Sequence, residues 1–82
     1  MVLFQLTSPK TVLPLISGSD ALILRQDAVY LARTPEMLPS CQCYMLAQDA
    51  ADRQISCPPT IHLLDDAQWV ALTLQATTVM SC

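Results

Sequence analysis

Glycine is almost missing from this chain of 82 residues, with Gly18 its only example. Phosphate-cradling loops need several glycines to let backbone amides approach an anion, so nucleotide binding of that kind is excluded. Charge is scarce too, at 13% of residues, against roughly 25% in ordinary soluble domains. Four basic residues, Lys10, Arg25, Arg33 and Arg53, oppose seven acidic ones and leave a formal charge of -3. Nucleic-acid affinity draws on clustered Lys and Arg, so no direct grip on RNA or DNA is expected. Histidine occurs once, at His62 in the middle of an apolar run. A hydrolytic triad needs nucleophile, base and orienting acid in mutual reach, and His62 reads instead as a structural histidine, partly buried or at a sheet edge.

Long apolar runs are also lacking. Clean apolar runs such as residues 1–4 and 21–24 are strand-sized, far short of the about 18 residues of a membrane span. Lys10 follows the N-terminal apolar stretch, which Gln5, Thr7 and Ser8 interrupt, whereas a secretory signal places positive charge first. The N-terminus is therefore expected to be a strand of the fold and the protein cytoplasmic, with Cys41, Cys43, Cys57 and Cys82 reduced.

What the chain has in abundance is apolar side chain, 52% of its residues. A domain of this size buries only about 60% of the surface its unfolded form exposes. One small core cannot hide the surplus, and exposed apolar patches on soluble chains mark interfaces. A protein partner is expected.

Short β-rich runs alternate with possible helical segments, the pattern of an α/β domain with a mostly parallel sheet covered by helices. The whole of 1–82 reads as one domain with about four short strands. The first is Val2–Leu6, ended by Ser8-Pro9 because proline cannot donate to a ladder. The first crossover carries Val12, Leu13, Leu15 and Ile16, but Pro14 in its middle and Gly18 near its end make any helix there brief. Ala21–Leu24, led by Asp20, reads as a central strand buried on both faces. One or two helical turns follow over 26–32, then a loop over 33–40 marked by Pro35 and Pro39. Residues 41–46 alternate as a third strand, with Cys41, Cys43 and Met45 on one face and Gln42, Tyr44 and Leu46 on the other. A short helix over 47–53 comes next. After Cys57-Pro58-Pro59, residues 61–64 form a strand. Asp65 and Asp66 then stand where an N-cap carboxylate opens the longest helix, 67–77, with Trp69, Val70, Leu72, Thr73 and Ala76 as its apolar positions.

Cys41-x-Cys43 with His62 suggests three metal ligands, but structural zinc sites separate paired ligands by two to four residues on a turn, and no pattern brings in Cys57 or Cys82. Small buried hydrophobes are the expected role of Cys41 and Cys43. Cys57 and Cys82 read as the more exposed thiols, without a cationic neighbour to favour the thiolate. Asp49 and Asp52 are expected on the solvent side of their helix, and Asp65 and Asp66 as caps rather than paired catalytic acids.

In this order the segments resemble the TusB/DsrH family, the smallest of three related subunits in bacterial sulfur-relay complexes. The blocks that match are Ser8-Pro9; Gly18-Ser19-Asp20 before the apolar strand; and Asp27-Ala28-Val29-Tyr30. Two more follow, Tyr44-Met45-Leu46 with Asp49 and Arg53-Gln54, then Leu63-Leu64-Asp65-Asp66 with Trp69-Val70-Ala71-Leu72-Thr73. Departures are a shorter first crossover, Ala28 and Gln54 where the family has glycine, and Cys82 where many members end in tryptophan. The resemblance implies a flavodoxin-like domain assembled with two larger homologous DsrE-like subunits as a heterohexamer, two copies of each. It implies sulfur carried as a persulfide on a thiol of a larger subunit, serving 2-thiouridine synthesis at the tRNA wobble position or, in another branch, dissimilatory sulfur oxidation. Some members carry a cysteine in the first helix; residues 11–17 here have none, so no persulfide site is carried over. The reading is an accessory, non-catalytic subunit with no catalytic, cofactor-binding or metal residues of its own. The alternative is a free-standing thiol- or metal-binding protein using Cys41, Cys43 and His62.

Overall fold

A computed structural model describes residues 1–10 and 16–81. The expected first-crossover helix, with Val12, Leu13 and Leu15, and the thiol of Cys82 lie outside the described residues. The remaining chain is an α/β domain built on one parallel sheet of five strands: β1 (Val2–Leu6), β2 (Ala21–Leu24), β3 (Gln42–Leu46), β4 (His62–Leu64) and β5 (Thr78–Ser81). Their spatial order is β4-β3-β2-β1-β5. The chain steps outward from β1 to β4, then returns across the sheet through helix α2 (Asp66–Gln75) to lay β5 beside β1. A 3-10 helix over Gln26–Arg33 and helix α1 (Ala47–Asp52) connect the earlier strands, and the proline-marked loop holds one 3-10 turn, Pro35–Met37.

The fifth strand is a correction to the four expected. Helical periodicity in the sequence extends to Thr77, but Ala76 leaves helical geometry with ψ 140. Both the amide and the hydroxyl of Thr77 then donate to the carbonyl of Met1, at 2.9 and 2.7 Å. That capture starts a new ladder, in which Val2 pairs with Thr78 and Gln5 with Ser81.

Side-chain alternation along the strands sorts the core into two clusters. Phe4, Leu6, Leu22, Leu24, Cys43 and Met45 point to one face, where Ala28, Val29 and Ala32 of the 3-10 helix and Ala50 of α1 cover them. Leu3, Ala21 and Ile23 point to the other, where α2 supplies Leu72, with Trp69 and Ala76 partly buried beside it. β2 is buried at all four positions, as its apolar run implies. The second face is thinly covered: five strands span roughly 19 Å across, and α2 is a single helix about 15 Å long and 10 Å wide.

Local chemistry fixes the helix ends. Asp65 is the N-cap of α2: its Oδ1 accepts from the amide of Gln68 at 2.7 Å while Gln68 Oε1 accepts from the amide of Asp65 at 3.0 Å, a reciprocal capping box. α1 ends in a Schellman motif, with the Ile55 amide donating to Ala50 O and the Gln54 amide to Ala51 O. Gln54 takes the left-handed conformation this motif needs, with φ 54. The position where the resembling family has glycine is therefore the one where a side chain is sterically penalised. Gln54→Gly is expected to raise stability by about 0.5 to 1 kcal/mol, and Asp65→Ala to lower it by about 1 kcal/mol. Urea unfolding of the three proteins, read from the midpoints at constant slope, checks both signs.

Candidate functional site

Ligands of open α/β sheets bind beyond the carboxyl ends of strands whose following connections leave on opposite faces. Here that point lies between β3 and β4, because α1 packs on the first face and α2 on the second. A crevice of about 160 Å³ sits there, lined by Ala47, Gln48, Asp65 and Asp66. Its polar atoms are largely committed elsewhere: Asp65 caps α2, and Gln48 Nε2 donates to Asp52 Oδ1 at 2.8 Å. No nucleophile and no cation line it. Asp65 and Asp66 thus do what their position at the helix start implies.

Asp49 is a correction. Rather than standing free in solvent, its Oδ2 accepts from the amide of Gln26 at 2.8 Å, holding a second left-handed residue, φ 50, where β2 turns into the 3-10 helix. Beside it Arg53 Nε donates to Asp27 Oδ1 at 2.9 Å, and Arg53 Nη1 to the carbonyl of Asp49 at 3.3 Å. These contacts tie α1 to the 3-10 helix and give Asp49 a structural role, while Asp52 is exposed as expected.

On the second face, Arg25 follows the last residue of β2, and its guanidinium lies 4.2 Å from the centre of the Trp69 ring. It donates through Nη1 to Gln5 Oε1 at 3.3 Å, while its Nε and the Trp69 Nε1 are buried without partners. The stack clamps α2 onto the sheet through a cation–π contact. Sequence reasoning missed this pairing; a lone Arg closing an apolar strand was the available signal.

The thiols occupy the other end of the sheet. Cys43 is buried in the first-face cluster, and Cys41, one residue before β3 begins, is half-buried against it. Their sulfurs stand 4.0 Å apart, and Cys43 Sγ donates to the carbonyl of Cys41 at 3.5 Å. Both line an open cleft of about 350 Å³ between the Pro35–Met37 turn and the start of β4. Burial raises the pKa of Cys41 above its usual value and pushes Cys43 up to about 12. His62 pairs in register with Tyr44, not with Cys43, so its side chain shares the opposite face, with its ring centre 5.7 Å from that of Tyr44. The three-ligand grouping of Cys41, Cys43 and His62 therefore does not form, and among the described residues no three His, Cys, Asp or Glu side chains gather where they could hold a metal.

Cys57 corrects another expectation. It is half-buried against the first-face core, donates from Sγ to the carbonyl of Ile61 at 3.1 Å, and has its pKa raised by burial. None of the three described thiols has its thiolate favoured, and iodoacetamide followed by mass spectrometry is expected to modify them more slowly than free cysteine at pH 7. Cys43 should react last. Because a raised pKa delays ionisation, the Cys41 rate should still be climbing with pH above 9, where an ordinary thiol has levelled off.

A different feature remains open to solvent. On α2, Val70 is 53% and Leu74 81% exposed, one helical turn apart on the side away from the sheet. The helical spacing puts Val70 on the inward face; Trp69, Leu72 and Ala76 fill that face instead. Val79 and Met80 of the neighbouring edge strand are also exposed, with all four β5 residues open to solvent and one side of the strand unpaired. Among the described residues no helix is long and apolar enough to cross a membrane.

A search of curated proteins gives no match. A family model described as "DsrH like protein" matches residues 4–79, almost the full length, and spans every block on which the resemblance rests. The capping box of Asp65, the Asp27–Arg53 pair and the left-handed Gln54 all fall within that match, and with the parallel five-stranded sheet they lead to one assignment: the chain belongs to the DsrH-like family, with a role related to sulfur relay.

Proposed function

We propose that this protein is the small accessory subunit of a sulfur-relay complex, non-catalytic itself, which docks through its α2–β5 side on two larger homologous DsrE-like subunits. The observation that carries this reading is the apolar surface of the α2 side, with Val70 and Leu74 on the outward side of α2 and Val79 on the same sheet face of edge strand β5, on a chain of the DsrH-like family. Apolar side chains exposed together beside an unpaired strand edge favour burial against another chain. The assembly is a heterohexamer with two copies of each subunit, working in the cytoplasm. Sulfur travels on it as a persulfide of a partner's thiol and supplies 2-thiolation of the tRNA wobble uridine. Nucleic acid is contacted by other components, in keeping with the net charge of -3.

The described thiols support the non-catalytic part. Accepting a sulfane sulfur requires a thiolate, and burial disfavours that form at Cys41, Cys43 and Cys57. The accessory role is structural: covering the partners' surfaces and excluding water and stray thiols from the persulfide.

Two experiments test the proposal. Expressed alone, the chain should self-associate at micromolar concentration in analytical ultracentrifugation and become soluble with its larger homologues. Leu74→Asp should reduce self-association and weaken binding to those homologues by at least about tenfold, as loss of a central apolar anchor does. A monodisperse wild-type monomer with no affinity for them would remove the main support. In a reconstituted complex, replacing each cysteine in turn by serine or alanine should leave transfer of labelled sulfur within about twofold once stability losses of about 1 to 3 kcal/mol are scored separately. A folded, assembled variant that transfers nothing would make this subunit a relay station in its own right.

A further inference from the structure

The accessory reading leaves the Cys41–Cys43 pair unused, yet the fold holds the two sulfurs together with a way in from solvent. They approach because Cys41 lies just outside the ladder, at a bend where its amide donates to the carbonyl of Pro39 at 2.9 Å, while Cys43 is fixed by pairing with Leu22. The cleft that both cysteines line also has Glu36 in its wall and no Lys, Arg or His. The site is thus a pair of soft donors in surroundings that do not repel a cation.

We propose that Cys41 and Cys43 form a two-coordinate binding site for a soft monovalent metal ion of the copper(I) and silver(I) class. Distance decides between this and a disulfide. A disulfide requires the sulfurs to close from 4.0 Å to about 2.05 Å. Two collinear metal–thiolate bonds of about 2.3 Å ask only that the sulfurs open from 4.0 Å to about 4.6 Å, a smaller change than the disulfide demands and one open to the Cys41 side chain, which lies outside the ladder. Ligand number decides among metals. Zinc takes four ligands in structural sites, whereas no third His, Cys, Asp or Glu joins this pair among the described residues. Thiolate donors select soft ions such as copper(I). On binding, each thiol releases one proton to solvent and forms one sulfur–metal bond, giving a bis-thiolate complex of charge -1 with no change of oxidation state.

The test uses the full chain carrying Cys57→Ser and Cys82→Ser, so that the pair supplies its only thiols, titrated with silver(I) against an excess of glutathione and followed by native mass spectrometry. One silver ion per chain is expected, with two protons lost, whatever the number of chains in the assembly. Cys41→Ser, at the half-buried position, should lower the affinity by more than about a hundredfold, since even loss of a residue that merely supports a metal ligand costs 10- to 100-fold. Cys43→Ala should do the same, with circular dichroism confirming that both variants fold. Full affinity retained in folded Cys41→Ser, or silver found only as a bridge between two chains, would overturn the proposal.

Discussion

A parallel sheet has two faces to bury, and among the described residues one of them is covered by a single helix. Every parallel connection must cross from the carboxyl end of one strand to the amino end of the next. Three successive connections here lie between neighbouring strands, β1 to β4, and the two whose packing is described cover the first face. Among the described residues a single ten-residue helix serves the second face. From this imbalance follows the exposure of Val79, which shares the face of Leu3, whereas Met80, in register with Phe4, is open on the first face. An 82-residue chain with 52% apolar residues thus buries a centre around β2 and β1 and leaves apolar side chains exposed on α2 and β5, and also at Met37 and Leu63.

The polar contacts complement that packing by joining pieces that a small core holds weakly. Asp20 accepts from the amide of Val2 at 3.1 Å and of Ser17 at 3.4 Å, linking the entry of β2 to the start of β1. Asp49 holds the turn at Gln26, Arg53 reaches Asp27, and Asp65 opens α2. The short sequence blocks that tie the chain to its family are therefore largely its joints. Asp27 and the Asp49–Arg53 block, more than twenty residues apart, meet at one contact between α1 and the 3-10 helix.

Sheet parity decides which reactive side chains can cooperate. Cys43 and His62 lie on adjacent strands, but the register Tyr44 to His62 and Met45 to Leu63 puts the imidazole on the face away from the thiol. A shift of one residue would have brought them to the same side. The same register leaves the two sulfurs as a pair with carbonyls and a cleft, and sends His62 to the exposed edge beside Tyr44.

Strands β1 to β4, both helices and the capping role of Asp65 were legible in the sequence because each depends on local pattern: alternation, a buried apolar run, a carboxylate before a helix. The expected burial of Cys43 was legible for the same reason. The reach of the last helix was not, since the chain turns out of it at Ala76 into a contact between Thr77 and the carbonyl of Met1, at the other end of the chain. Asp49 and Cys57 were misplaced for a related reason: their partners, Gln26 and the carbonyl of Ile61, are set by how segments pack rather than by neighbouring residues. The Arg25–Trp69 stack likewise joins residues 44 positions apart. Sequence alone therefore determined the α/β class, the succession of strands β1 to β4 and of α2, the family likeness and the excess of apolar side chain, all of which reside in short-range pattern and composition. Only the tertiary structure decided where that excess emerges and which thiols meet, because strand order and register are long-range pairings that no local window of the chain contains.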